Sequence, residues 1–307
     1  MPTMPGLPPG LIVFERGWLS ANNILFTGRE TTALVDSGYC THDRQTISLI
    51  EQSLEQRPLD LLLNTHLHSD HCGGNAALQN RYPGLQTRIP PGQARHVRHW
   101  NPEALSYTPT GQQCPPFGFQ ALLEPGTEIM LADRPWQIHS APGHDPHSVI
   151  LFEPQSRTLI SADALWENGF GVIFPELEGE SAFAEVEATL NLIESLAPQT
   201  VIPGHGQVFS GVDQSLALAR SRLAGFLRDP RRHTNHAAKV LLKFKLLELQ
   251  QIERASFITW AVQTPYFGVM QQRHFPEMSM PAWLEQLMAD LVRAGAAAVE
   301  GEMILNA

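Results

Sequence analysis

Residues 65–71 read Thr65-His66-Leu67-His68-Ser69-Asp70-His71 and follow directly on the apolar run Leu59–Leu63, which Asn64 ends. Such a run cannot be told from a helix fragment by pattern alone, but its length favours a buried strand. His66 and His68 are two apart, so in an extended segment their rings project to the same side. Asp70 and His71 come where the chain must turn into the next helix, and Gly73-Gly74 gives the backbone freedom for that turn. Four donors in six residues can therefore face two adjacent points in space. Neutral imidazoles suit zinc, and a carboxylate adds charge compensation for a second ion. The competing reading is a surface loop that happens to be rich in histidine.

Working outward, the first two thirds of the chain alternate short strands with helices. Leu11–Phe14, Asn23–Phe26, Thr32–Val35, Glu128–Leu131, Gln137–Ser140, Val149–Phe152, Thr158–Ile160 and Thr200–Ile202 carry strand patterns. Residues 41–54 and 181–196 have helical spacing, and the mixture predicts a layered α/β domain. His99–Gln120 is rich in Pro, Gly and Gln without periodicity, as in a functional or mobile loop. After residue 210 helical patterns dominate, at Val212–Leu227, Ala237–Gln250 and Pro281–Arg293, with a small hairpin around Gly301. The Ser210–Gly211 step therefore divides a catalytic domain, 1–210, from a mainly helical accessory domain, 211–307, with the winged helix as one candidate form.

Further donors stand just past predicted strand ends. They are His144 in Pro142-Gly143-His144-Asp145, Asp163 in Ser161-Ala162-Asp163, and His205 in Pro203-Gly204-His205-Gly206. Alone, either histidine reads as an ordinary loop residue and Asp163 as a helix cap. Together and in this order, the HxHxDH motif, the later Gly-His, the strand ending in Asp and the final Pro-Gly-His-Gly resemble the metallo-β-lactamase superfamily over about residues 10–210.

That resemblance implies a four-layer αββα sandwich with its site at one edge. It implies that His66, His68 and His144 bind one metal, that Asp70, His71 and His205 bind a second, and that Asp163 bridges them. The metals would be two divalent ions, zinc first, with iron or manganese as alternatives, and Asp70 would add a catalytic role as proton acceptor. Members that hydrolyse β-lactams generally lack the bridging aspartate, so Asp163 argues against that activity. Only 61 positions separate His144 from His205, too few for the extra domain of the nucleic-acid-processing β-CASP branch. Asp145 and His147 depart from the usual pattern, and either could orient a ligand or be a solvated loop residue. Cys72, beside His71, reads as a small buried residue at a helix start more readily than as a ligand or nucleophile.

Substrate selection belongs to the loops, with Tyr107, Trp166 and Phe170 as candidate pocket residues. No cluster of Lys or Arg lies near the motifs to hold glutathione carboxylates, which weakens a glyoxalase II reading. The favoured function is hydrolysis of a small-molecule thioester, ester or lactone. The alternative is an endoribonuclease, supported by Arg220, Arg222, Arg228, Arg231, Arg232, Lys239, Lys243 and Lys245 against the single acid Asp229. That local +7 leaves about −17 for the remainder. A solvated or internally paired helix face is the plainer reading, and the total of −10 opposes polyanion binding. A ligand sensor that kept the fold would have lost a metal donor, and none is lost.

Three cysteines (Cys40, Cys72, Cys114) without CxxC spacing argue against a disulfide framework and fit a reducing cytoplasm. No run approaches the roughly 18 apolar residues of a membrane helix. Met1–Gly10 is Pro-rich, without the basic and apolar regions of a signal peptide. A small-molecule substrate is the expected partner, with a homodimer contact open for the tail.

Overall fold

A computed structural model describes residues 6–307; the first five residues of the Pro-rich start lie outside it. One sheet runs in the order β1 (Leu11–Phe14), β2 (Asn23–Thr27), β3 (Thr32–Val35), β4 (Leu61–Leu63), β5 (Gln86–Ile89) and β6 (Ala121–Leu122). Its first three strands are antiparallel, and β3 to β6 are parallel. Between them lie α1 (Asp43–Leu54), α2 (Ser69–Cys72), α3 (Asn75–Arg81), α4 (Ala94–Arg98) and α5 (Tyr107–Thr110). The second sheet holds β7 (Glu128–Leu131), β8 (Arg134–Ser140), β9 (Val149–Glu153), β10 (Thr158–Ala162) and β11 (Thr200–Pro203), adjacent in that order. Helices α6 (Phe174–Glu178) and α7 (Phe183–Leu196) separate its last two strands, which pair in parallel.

Period-two alternation builds the layers. Ile24, Phe26, Val35 and Leu63 of the first sheet meet Trp136, Ile138, Leu151 and Ile160 of the second in one core. The intervening Leu25, Leu34 and Leu62 turn outward onto Ile50 and Leu54 of α1 and Leu78 of α3. Ile150, Phe152 and Leu159 turn outward onto Val186, Leu190 and Ile193 of α7. Each fully buried aliphatic side chain of this kind stabilises the fold by roughly 1.5–3 kcal/mol. The result is the expected αββα sandwich. Strands β5 and β6 were not legible, and the His99–Gln120 stretch contains the short helix α5 where a structureless loop was predicted.

The remainder comprises α8 (Val212–Arg228), α9 (Pro230–Leu249), β12 (Gln251–Glu253), α10 (Arg254–Gln263), α11 (Pro265–His274), α12 (Met280–Arg293), β13 (Ala297–Glu300) and β14 (Met303–Asn306). Asp229 caps α9 by accepting from the Arg231 amide, and Pro230 fits the first turn, where no amide donor is needed. Ser279 and Pro281 do the same for α12. Leu216, Ala219 and Leu223 of α8 share a core with α7 and the second sheet, so the expected division at Ser210–Gly211 precedes a helix that packs with the sandwich. A further core joins Ala238 and Leu242 of α9 to Phe257, Phe267, Trp283 and Leu287, and takes in Val172 and, from α6, Leu177. Strand β14 lies between β12 and β13. The tail is mainly helical, as expected, with a small three-stranded sheet.

Candidate metal centre

The seven donors meet above the sheet edges as two adjacent groups, His66, His68 and His144 beside Asp70, His71, Asp163 and His205. The end of β4 carries the HxHxDH segment into α2, and the loops after β8, β10 and β11 bring the other three. Two residues with positive φ shape these turns: Asp36 (58°) after β3 and Ala162 (46°) before Asp163. Left-handed backbone at a non-glycine residue costs of order 1–3 kcal/mol and persists where packing imposes it.

In the first group the His144 Nε2 lies 2.8 Å from His68 Nδ1 and 3.3 Å from His66 Nε2. Donors about 2.0–2.1 Å from a tetrahedral ion lie roughly 3.3 Å from one another, so the spacing suits a small divalent cation. His144 Nδ1 donates to the Val172 carbonyl at 2.5 Å, which leaves its Nε2 lone pair facing the group. Burial, followed by the neighbouring imidazoles, pushes the His66 pKa well below its ordinary value. Burial and then His144 bring His68 down to about 4. Neutral rings are the form a metal requires.

In the second group His71 Nδ1 lies 2.7 Å from Asp36 Oδ2, and Asp36 also accepts from the amide and hydroxyl of Thr65. The opposite nitrogen, Nε2, is buried without a hydrogen bond among the described residues and faces Asp163 Oδ1 at 3.4 Å. His205 Nε2 is 3.0 Å from Asp70 Oδ2. Asp163 spans the groups, since its Oδ2 is 3.4 Å from His144 Nε2. Burial alone would raise its pKa, but His71, His205 and His144 hold it well below the usual carboxylate range. Asp70 is likewise lowered, because His71 and His205 outweigh its burial. Burial would lower His71, yet Asp163, Asp36 and Asp70 hold it well above its usual value. The second group thus attracts a positive charge, whether proton or metal ion. A donor set of imidazoles and anionic carboxylates at this spacing fits divalent metal.

Several contributors escaped the sequence reading. Asp36 is buried and orients His71. Gly171 admits the His144 ring, for a Cβ there would lie 2.4 Å from His144 Nδ1. Trp18 stacks on His205 with centroids 5.3 Å apart. Of the two residues that depart from the pattern, Asp145 is buried with Oδ2 3.7 Å from His68 Nε2, whereas His147 donates its backbone amide to Asp145.

Trp166 lines the cavity over the two groups, and its indole N–H donates to Asp163 Oδ1 at 3.2 Å. Tyr107 and Phe170 do not line it. Tyr107 is buried beneath the HxHxDH segment, donating to the Leu67 carbonyl at 2.9 Å, and Phe170 is buried against Phe226. Cys72 is fully buried with its thiol on the Leu67 and His68 carbonyls, away from the donor groups. The cavity holds about 340 Å³. No helix among the described residues is long and apolar enough to cross a membrane.

The chain is similar to known proteins along this framework. A profile of the metallo-beta-lactamase superfamily matches residues 16–205. A hydroxyacylglutathione hydrolase of Nostoc sp. is 28% identical over 160 residues, covering 50% of this chain and 51% of that protein. Acyl-coenzyme A thioesterase MBLAC2 of Homo sapiens is 24% identical over 229 residues, covering 66% and 79%. The chain spans about half the length of the cyanobacterial relatives it matches. A beta-lactamase domain protein from Burkholderia ambifaria shares the fold with a TM-score of 0.60 at 20% identity, covering 98% of this chain and 93% of that one. With the sandwich, the donor order and the profile in agreement, the chain belongs to the metallo-beta-lactamase superfamily.

Proposed function

We propose that this chain is a binuclear metal-dependent hydrolase of small-molecule thioesters, esters or lactones, with zinc as the metal. The observation that carries the reading is the pair of adjacent donor groups, neutral imidazoles in one and carboxylate-rich in the other, on the floor of one cavity. The relatives named as thioester hydrolases support the substrate class. Bound divalent ions supply Lewis acidity and a water that ionises near neutral pH. His66, His68 and His144 would hold one ion, Asp70, His71 and His205 the other, and Asp163 both. Asp70, only partly buried and held anionic, faces the cavity and can accept a proton from the attacking water. Trp18 and Trp166 wall the side next to His205.

Protein purified without chelator should carry about two metal equivalents per chain by elemental analysis. A value near zero from metal-replete growth, with the fold intact, would sink the binuclear reading. Turnover of the metal-loaded protein on a panel of thioesters, lactones and single-stranded RNA tests the substrate class.

The nuclease alternative draws on the basic stretch, but those side chains are largely committed elsewhere. Arg220 pairs with Glu194, Arg231 with Glu277, Lys239 with Asp290 and Lys245 with Glu248. Lys243 donates to the carbonyls of Ala296 and Ala307. Replacing Arg228, Arg231 and Arg232 by Gln should leave kcat/KM on a neutral ester within about twofold and weakly salt-dependent. RNA cleavage that weakens steeply with salt, and less steeply in the triple variant, would reverse the ranking.

A further inference from the structure

Across the cavity from the donor groups is a wall that bond cleavage does not use. Helix α9 presents His236, Val240, Leu241 and Phe244 to it, a spacing that keeps them on one helical face. Helix α8 presents Arg222. Its guanidinium lies 5.5 Å from the ring centroids of both Phe170 and Phe226 and donates to His236 Nε2 at 2.5 Å. His236 accepts as a neutral ring, since burial first and Arg222 next bring that imidazole down to about 3, and an imidazole carries no counter-charge for a guanidinium.

No carboxylate among the described residues lies within ion-pair distance of Arg222. Glu167 lines the same cavity at an exposed position and forms no ion pair there either. A half-buried cation without an anion is partly desolvated and uncompensated, whereas Arg220, two residues away, has its acid. The planar guanidinium offers donors in a fork that fits carboxylate or phosphate oxygens.

We propose that Arg222 is a specificity-determining residue, an anion subsite in the cavity wall that takes a carboxylate or phosphate of the substrate. The proposal rests on the hydrolase reading and narrows it. Val172, Phe174, Val240 and Phe244 line the same cavity, so the substrate class is an ester or thioester whose apolar segment ends in an anionic group.

The test uses metal-loaded protein and three thioesters alike except for a terminal carboxylate, its methyl amide or a phosphate monoester. The wild type should favour an anionic member over the amide by about 30-fold in kcat/KM, mainly through KM. The carboxylate and phosphate arms show which anion fits. Arg222→Gln should bring that ratio near one, and Arg222→Lys should retain part of it. A merely structural role would lower turnover of all three compounds and leave the ratio intact. Should the Gln variant fail to fold, the Lys variant decides by whether the ratio falls. Calorimetric titration of uncleavable thioether analogues separates the two readings. Arg222-dependent preference for the anionic thioether without turnover of any thioester keeps the subsite and removes the hydrolase. Turnover of all three thioesters with no anionic preference removes the subsite and keeps the hydrolase.

Discussion

Asp163→Ala should reduce kcat/KM by about 10³-fold, since loss of a mere supporting contact to a metal ligand already costs 10–100-fold. Asp163 faces both groups with its two oxygens, Oδ1 toward His71 and Oδ2 toward His144, each at 3.4 Å. Removing it takes a buried negative charge from among three imidazoles and leaves the Trp166 indole without its acceptor. The chain should still fold, because the turn that presents the carboxylate is held by backbone bonds. Gly204 donates to the Ala162 carbonyl at 2.7 Å, and Gly171 donates to the Asp163 carbonyl at 2.9 Å. Asp163→Asn should lose nearly as much, since it keeps the shape and drops the charge. Steady-state kinetics with elemental analysis and circular dichroism separate these effects. Activity within tenfold of wild type would mean that the bridging role is wrongly assigned.

The legible and illegible parts of the site differ in physical kind. His66, His68, Asp70 and His71 were readable because extended backbone and an immediate turn fix their relative directions within six residues. His144, Asp163 and His205 were readable as a set because each follows a strand with strong β pattern. Asp36 also follows such a strand, but a lone aspartate in Val35-Asp36-Ser37 carries no mark of the His71 ring 2.7 Å away. Phe170 reads as a pocket residue because it follows closely on Asp163, and Tyr107 because it lies in the unpatterned His99–Gln120 stretch, but neither signal sets side-chain direction. Both turned inward, where their apolar area is buried.

Arg222 is the instructive omission, since the signal was present. It stands three residues after Ala219 and four before Phe226, on the same helical face as those two buried residues. Summing it into a charge run hid that register. In the tail, α10 and α11 were missed because Thr264-Pro265 interrupts the pattern and their apolar residues form no single stripe. Proline forces the preceding residue out of helical geometry, and Thr264 has ψ 115°. Trp260 packs on Phe257 and Phe267, so α10 reaches into α11 as well as back along itself.

Gly204→Ala should lower kcat/KM by about 10²-fold, the scale that a roughly 1 Å displacement of a catalytic group produces. A Cβ at this position would lie 2.1 Å from Asp163 Oδ1, 3.0 Å from His71 Cε1 and 3.1 Å from the Ala162 carbonyl carbon. Something must move, and the Gly204 backbone is held on both sides. Its amide donates to the Ala162 carbonyl at 2.7 Å, and its carbonyl accepts from the Asn22 amide at 2.7 Å. The carboxylate has more freedom than either, so Asp163 is what swings away from His71. Metal content should fall with activity, and overpacking should cost about 1–3 kcal/mol of stability. Gly84→Ala serves as the control, because a Cβ there meets nothing within 4 Å and the site is remote from the donors. Kinetics, elemental analysis and thermal unfolding of the two variants side by side decide the matter. Full metal content and normal turnover in Gly204→Ala would show that the site works with the Asp163 carboxylate displaced, and would overturn the requirement that it stay in place.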